Sequence, residues 1–143
     1  MSGLSPRLAA IVEALPLREG MRVLEIGCGP GAAARAVAQS IGDGHVLAID
    51  RSAKAIGQAK AACAAEIASG RLALRHVAAE DFTLLAGEKP FDIAFACRVG
   101  ALDGRHPEAG KRALERIAAA LKPGGRLFID GGDPLRELPL PER

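Results

Sequence analysis

The sequence predicts an α/β protein: a doubly wound, mainly parallel sheet with helices on both faces. Three observations predict it. Short apolar runs alternate with alanine- and leucine-rich segments of helical period along nearly the whole chain. One of those runs, Arg22 to Ile26, breaks into Gly27-Cys28-Gly29-Pro30-Gly31 and then opens a helix. That order lets a ligand lie directly against bare backbone at a helix start. The run Phe91 to Ala96 is almost wholly apolar, as a central strand covered on both faces must be.

The elements follow in order. Ser5-Pro6 reads as an N-cap with proline at the first helical position, and Leu8, Ile11, Val12 and Leu15 follow at helical spacing until Pro16. Arg22 to Ile26 is a first strand, and residues 31–41 are a helix. Gly42-Asp43-Gly44 turns the chain into a second strand, His45 to Ile49, which ends in Asp50. Ser52 caps a helix expected to run to about Ala68, with Ser69-Gly70 as its stop. Arg71 to Val77 is a third strand, followed by an acidic segment at Glu80 and Asp81. Phe91 to Ala96 is the fourth. Pro107 opens a helix with Leu114, Ile117, Ala118 and Leu121 along one stripe, and Lys122-Pro123-Gly124-Gly125 breaks it before a fifth strand, Arg126 to Ile129. Residues 131–143 carry three prolines and read as a tail beyond a domain of residues 1–130.

Composition narrows the function. A chain of 143 residues suits one domain with a real core. A formal charge of +2 argues against a strongly basic nucleic-acid binder. No run approaches the length of a membrane span, and the N-terminus lacks a signal-peptide pattern. Cys28, Cys63 and Cys97 are odd in number and lack zinc-ligand spacing, which fits reduced thiols in a cytoplasmic protein. His45 and His76 sit on strands without ligand partners, so no metal site is expected. With no Trp or Tyr, neither an aromatic cage nor a tyrosine acid–base group is available within the chain.

The glycine loop carries one further signal. Glu25 stands two residues before Gly27. A carboxylate there repels a phosphate but favours ribose hydroxyls or a cationic ligand, so the loop suits a nucleoside without a pyrophosphate. Asp50, at the carboxyl end of the adjacent strand, can accept both hydroxyls of a ribose.

Together these landmarks resemble the class I S-adenosylmethionine-dependent methyltransferases, from about Gly20 to Asp130. The resemblance rests on Glu25-Ile26-Gly27-Cys28-Gly29-Pro30-Gly31, on Asp50, on Phe91-Asp92-Ile93-Ala94-Phe95-Ala96, and on Leu121-Lys122-Pro123-Gly124-Gly125-Arg126-Leu127. It implies a Rossmann-like sheet of order 3-2-1-4-5, S-adenosyl-L-methionine as cofactor, and transfer of its methyl group to a small-molecule acceptor. It also implies a cofactor-binding set: Glu25 toward the methionyl amino group, Gly27, Cys28, Gly29 and Gly31 in the loop, Asp50 and Arg51 at the ribose, Ala79 and Glu80 at the adenine, and Cys97 at the end of the fourth strand.

The third loop, Val77-Ala78-Ala79-Glu80-Asp81-Phe82, departs from the family's pattern. With Ala79 as the adenine-facing amide, Ala78 stands where an aspartate is usual. Either Glu80 or Asp81 reads the adenine from a shifted position, or apolar packing holds it. One lost charge-assisted hydrogen bond costs about 1.5–3 kcal/mol.

The acceptor side is expected in Cys97 to His106. Arg98 and Arg105 are suited to an acidic substrate, and Asp103 or His106 to general-base duty; Arg98, Asp103 and His106 are the catalytic candidates. Plainer readings exist, since Asp103-Gly104 is an ordinary turn and His106 precedes a helix. The loop lacks the Asn/Asp-Pro-Pro-aromatic signature of amino-group methyltransferases.

Full-length members of the family carry two further strands, the last antiparallel beside the fifth. Without them the fifth strand is an open edge. A minimal enzyme, a fragment, or a partner over that edge each accounts for this, and a homodimer through the fifth-strand edge is the reading favoured here. Two other functions compete: a non-catalytic S-adenosylmethionine-binding accessory domain or truncated fragment, and a dinucleotide oxidoreductase, since Gly27, Gly29 and Ala32 satisfy a loose G-x-G-x-x-G/A pattern.

Overall fold

The computed structural model describes residues 4–102 and 104–142. Helix α1 (Pro6–Ala14) starts where the Ser5 hydroxyl accepts the Leu8 N–H at 3.2 Å, with Pro6 in the first turn. Strand β1 (Arg22–Ile26) feeds α2 (Ala32–Ala38) through the glycine loop, and β2 (His45–Asp50) feeds α3 (Ala53–Ala62), capped by the Ser52 hydroxyl. A short α4 (Ala64–Ala68) follows a break at Cys63, where one continuous helix is expected from sequence. Strand β3 (Leu72–His76), a 3₁₀ turn at Ala79–Asp81, β4 (Phe91–Ala96), a second 3₁₀ turn at Gly100–Leu102, and α5 (Pro107–Ala120) complete the alternation.

The sheet has six strands in the order β3-β2-β1-β4-β5-β6, with β5 (Leu121–Asp130) parallel to β4 and β6 (Leu135–Leu138) antiparallel to β5. The first five strands thus stand in the expected order. Strand β5 starts at Leu121, earlier than the sequence suggests. Its pairing shifts between Phe91↔Leu121 and Ile93↔Arg126, so the Lys-Pro-Gly-Gly segment is taken up as an irregularity within the strand.

Two expectations are corrected by β6. Residues 131–143 are not wholly a tail, because Leu135–Leu138 pair with Leu127–Asp130. The outer edge of β5 is therefore covered by the chain itself, which removes the premise for a homodimer through that edge.

Side chains of the central strands alternate between two cores. Val23, Val46, Ala48 and Phe95 pack beneath Val12, Val37 and Ile56 of α1, α2 and α3. On the opposite face Leu24, Leu47, Ala94 and Leu127 pack against Ala113 and Ile117 of α5 and against Phe82. Each fully buried Leu, Ile or Phe contributes about 1.5–3 kcal/mol relative to an exposed one. Among the described residues no helix is long and apolar enough to cross a membrane, and no cluster of His, Cys, Asp and Glu is arranged to hold a metal.

Gly29 and Gly31 both hold left-handed backbone, at φ 53° and 92°, yet their surroundings differ. A Cβ on Gly31 falls 2.9 Å from Cys63 Sγ and 3.1 Å from Ala59 Cβ, whereas a Cβ on Gly29 meets nothing within 4 Å. In urea unfolding, Gly29→Ala is expected to cost about 1–2 kcal/mol from backbone strain alone. Gly31→Ala should cost roughly 1–3 kcal/mol more, through overpacking. Equal losses contradict this packing.

Candidate functional site

The doubly wound order makes its own crevice. From β1 the chain steps outward through β2 to β3, then returns to β4 on the other side, so loops part between β1 and β4 at their carboxyl ends. A cavity of about 600 Å³ opens there. It gathers Gly27, Asp50, Arg51, Ala79, Glu80, Arg98 and His106 from the residues singled out in the sequence, together with Ile26, Ile49, Val77, Ala78, Val99, Gly100, Ala101, Arg105 and Ala109. Glu25, Cys28, Gly29, Gly31 and Cys97 lie outside this lining; Asp103 lies outside the described residues.

Asp50 ends β2 and organises the near wall. Its Oδ2 accepts the Gly29 N–H at 2.9 Å, and its Oδ1 accepts the Ser52 N–H at 2.8 Å. Both oxygens keep a further lone pair for a ligand hydroxyl. The Gly27 and Cys28 N–H groups both donate to the Ile49 carbonyl, at 2.9 and 3.0 Å, which pins the glycine loop over β2. Space above Gly29 is open, while Val99 lies against Gly27, where a Cβ would stand 2.6 Å from its Cγ2.

Glu25 lies beneath this loop, only 2% exposed, and its Oε1 has no hydrogen-bond partner among the described residues. Burial pushes its carboxyl up to about 8, nearby Asp50 adds to the rise, and a backbone hydrogen bond with Ala34 in the first turn of α2 opposes it. A buried carboxyl with an unpartnered oxygen is costly unless a ligand completes it. An ammonium or hydroxyl group entering from the loop supplies that completion.

Two of the cysteine thiols near the site are held in the protonated form. Burial, then the carboxyls of Glu25 and Asp50, pushes the Cys28 thiol up to about 12. Burial, then Glu25 and Asp130, pushes Cys97 up to about 11.

The third loop separates its two acids. Glu80 lines the cavity beside Ala78 and Ala79, whereas Asp81 turns to an exposed ion pair with Arg112 at 3.9 Å. Of the two carboxylates considered for reading a base, Glu80 is the one at the cavity. Ile26, Ile49, Val77 and Ala101 supply apolar surface there.

Across the cavity, the loop after β4 presents cations. Arg98 has φ 57°, the left-handed region, and its N–H donates to Asp130 Oδ1 at 2.9 Å. Around Gly100, a Cβ would stand 3.1 Å from Arg105 Nη2 and 3.3 Å from His106 Cδ2, so both side chains close on that glycine. Sequence reasoning missed Val99 and Asp130. Val99 carries no polar signal, but Asp130 repeats at the end of β5 what Asp50 does at the end of β2.

An open doubly wound sheet with a glycine loop after its first strand and an acid ending its second defines a nucleoside-binding α/β domain. Residues 23–125 match the methyltransferase domain family, and the chain belongs to it. It is 39% identical over 127 residues to a protein-L-isoaspartate O-methyltransferase of Methylorubrum populi, covering 89% of this chain and 52% of that protein. It is 36% identical to a ubiquinone biosynthesis O-methyltransferase of Xylella fastidiosa, covering 86% of this chain and 46% of that protein. Among solved structures, an S-adenosylmethionine-dependent methyltransferase from Thiobacillus denitrificans in complex with S-adenosyl-L-homocysteine superposes with a TM-score of 0.68. It is 26% identical, and the match covers 88% of this chain and 48% of that one. The chain thus spans about half the length of these relatives.

Glu25 also sets a pH dependence of stability. Its carboxyl titrates higher in the folded chain than the ordinary 4.5, so the fold keeps a proton that the unfolded chain releases. The stability tied to that proton is full below pH 4.5 and is lost as pH rises toward 8. Relative to Glu25→Gln, the parent is expected to lose on the order of 5 kcal/mol across that window. Parallel stability-versus-pH curves for the two proteins contradict the burial argument.

Proposed function

We propose that this chain is the cofactor-binding and methyl-transferring unit of an S-adenosylmethionine-dependent methyltransferase acting on a small-molecule acceptor. Asp50 carries the reading. It is fixed by two backbone amides at the end of β2, faces the cavity, and keeps lone pairs free for two ribose hydroxyls. Buried Glu25 supplies a carboxyl for the amino group of the methionyl end. Glu80 and the apolar surface of Ile49 and Val77 hold the adenine, in place of the aspartate that Ala78 replaces. The three cysteines are free, which suits a reducing, cytoplasmic setting.

When bound, with Asp50 at its ribose and Glu25 at its amino group, S-adenosylmethionine would supply an electrophilic methyl group on a cationic sulfur, the sulfur being the leaving atom that would keep the bonding pair. The chain's own contribution is alignment of the two molecules across the cavity. Arg98 and His106 stand on the acceptor side, opposite Asp50 and Glu80. A general base, for which His106 is placed, is required only by an acceptor that loses a proton.

Calorimetric titration with S-adenosylhomocysteine tests this. The parent is expected to bind in the micromolar range. Asp50→Ala should bind at least about tenfold more weakly, from loss of charge-assisted hydrogen bonds. A folded parent that binds no S-adenosylhomocysteine overturns the reading.

A further inference from the structure

We infer that the methyl acceptor carries an oxyanion, a carboxylate or a phosphate, and that Arg98 binds it; this rests on the cofactor reading above. The inference begins with backbone. Among the described residues Arg98 is the one non-glycine residue with positive φ. Left-handed backbone is uncommon for a side chain of this size and persists where surrounding structure holds it for a purpose. Here the holder is Asp130, which accepts the Arg98 N–H at 2.9 Å. Asp130 also pairs with Arg7 of α1, so its carboxylate is already engaged on two sides. It fixes the Arg98 backbone while its charge is answered from elsewhere.

The guanidinium of Arg98 has no carboxylate partner among the described residues. The cavity's acids do not supply one. Asp50 is held by the Gly29 and Ser52 amides on the opposite wall, and Glu80 stands on the third loop. Arg105, which also lines the cavity, closes on Gly100 within the same loop region, so a second guanidinium belongs to the acceptor side of the cavity. Arg98 lines that cavity yet stays exposed, so an incoming anion can reach it, and a planar guanidinium grips two oxygens at once. An anionic acceptor also needs no added base where its own oxygen receives the methyl group, which suits a chain without tyrosine.

The test titrates citrate and inorganic phosphate, at fixed ionic strength and with glycerol as neutral control, into protein saturated with S-adenosylhomocysteine. Arg98→Asn is the informative variant, because asparagine tolerates left-handed backbone while lacking the charge. Arg98→Lys keeps the charge, and Arg98→Gly relieves the backbone should the asparagine variant lose its fold. The parent is expected to bind at least one anion saturably, and the preferred one distinguishes carboxylate from phosphate. Arg98→Asn should weaken that binding about tenfold or more while keeping its affinity for S-adenosylhomocysteine, and Arg98→Lys, which keeps the charge but not the two-oxygen grip, should recover part of it. S-adenosylhomocysteine binding without anion binding, or equal anion binding by parent and Arg98→Asn, overturns the inference. Arg98-dependent anion binding by a protein that binds no S-adenosylhomocysteine overturns the cofactor reading and leaves the anion site standing.

Discussion

The carboxyl of Glu25 is the constraint around which the site is arranged. It sits on the central strand β1, flanked in register by Ala48 of β2 and Phe95 of β4, and is almost fully buried with no ion partner among the described residues. An isolated carboxylate there is so disfavoured that the group keeps its proton well above the ordinary range. What makes the position tolerable is the helix above it, whose first turn offers a backbone N–H at Ala34. That helix can start so close to the strand only because three left-handed glycines turn the chain within a few residues. Strand, loop and helix are thus mutually dependent, and one oxygen of the Glu25 carboxyl is left without a hydrogen-bond partner among the described residues.

A second regularity runs through the carboxyl ends of the strands. Asp50, ending β2, grips the Gly29 amide in the loop after β1; Asp130, ending β5, grips the Arg98 amide in the loop after β4. Each acid belongs to the strand next to the loop it holds. The two loops meet where Val99 lies against Gly27, so the pair fixes the floor of the cavity between β1 and β4. Asp130 extends this to α1 through Arg7, which ties the N-terminal helix to the loop after β4.

Much of this was legible in the sequence, for physical reasons that differ by element. The strands β1, β2 and β4 are buried on both faces and so read as apolar runs; the glycine loop is legible because no other residue type turns so tightly. Strand β6 was not legible. Leu135–Leu138 pairs on one side only, carries two charged residues in four, and follows Pro134, so neither periodicity nor composition marks it. The break between α3 and α4 at Cys63 escaped for a related reason. Its cause is tertiary: the thiol packs under Gly31 and donates to its carbonyl at 3.5 Å. At the site, types and order of residues pointed to the near wall, but sequence alone left Glu80 and Asp81 equivalent. Only the 3₁₀ turn at Ala79–Asp81, which sends them different ways, decides between them.

Carboxyl ¹³C NMR of Glu25, in protein labelled at glutamate, tests the account most directly. The account predicts a protonated Glu25 at neutral pH that titrates near 8 in the ligand-free protein. It further predicts that saturating S-adenosylhomocysteine, which brings an ammonium group, converts that signal to the ionised form. A Glu25 already ionised at neutral pH without ligand, or one left protonated after the ligand has bound, contradicts it.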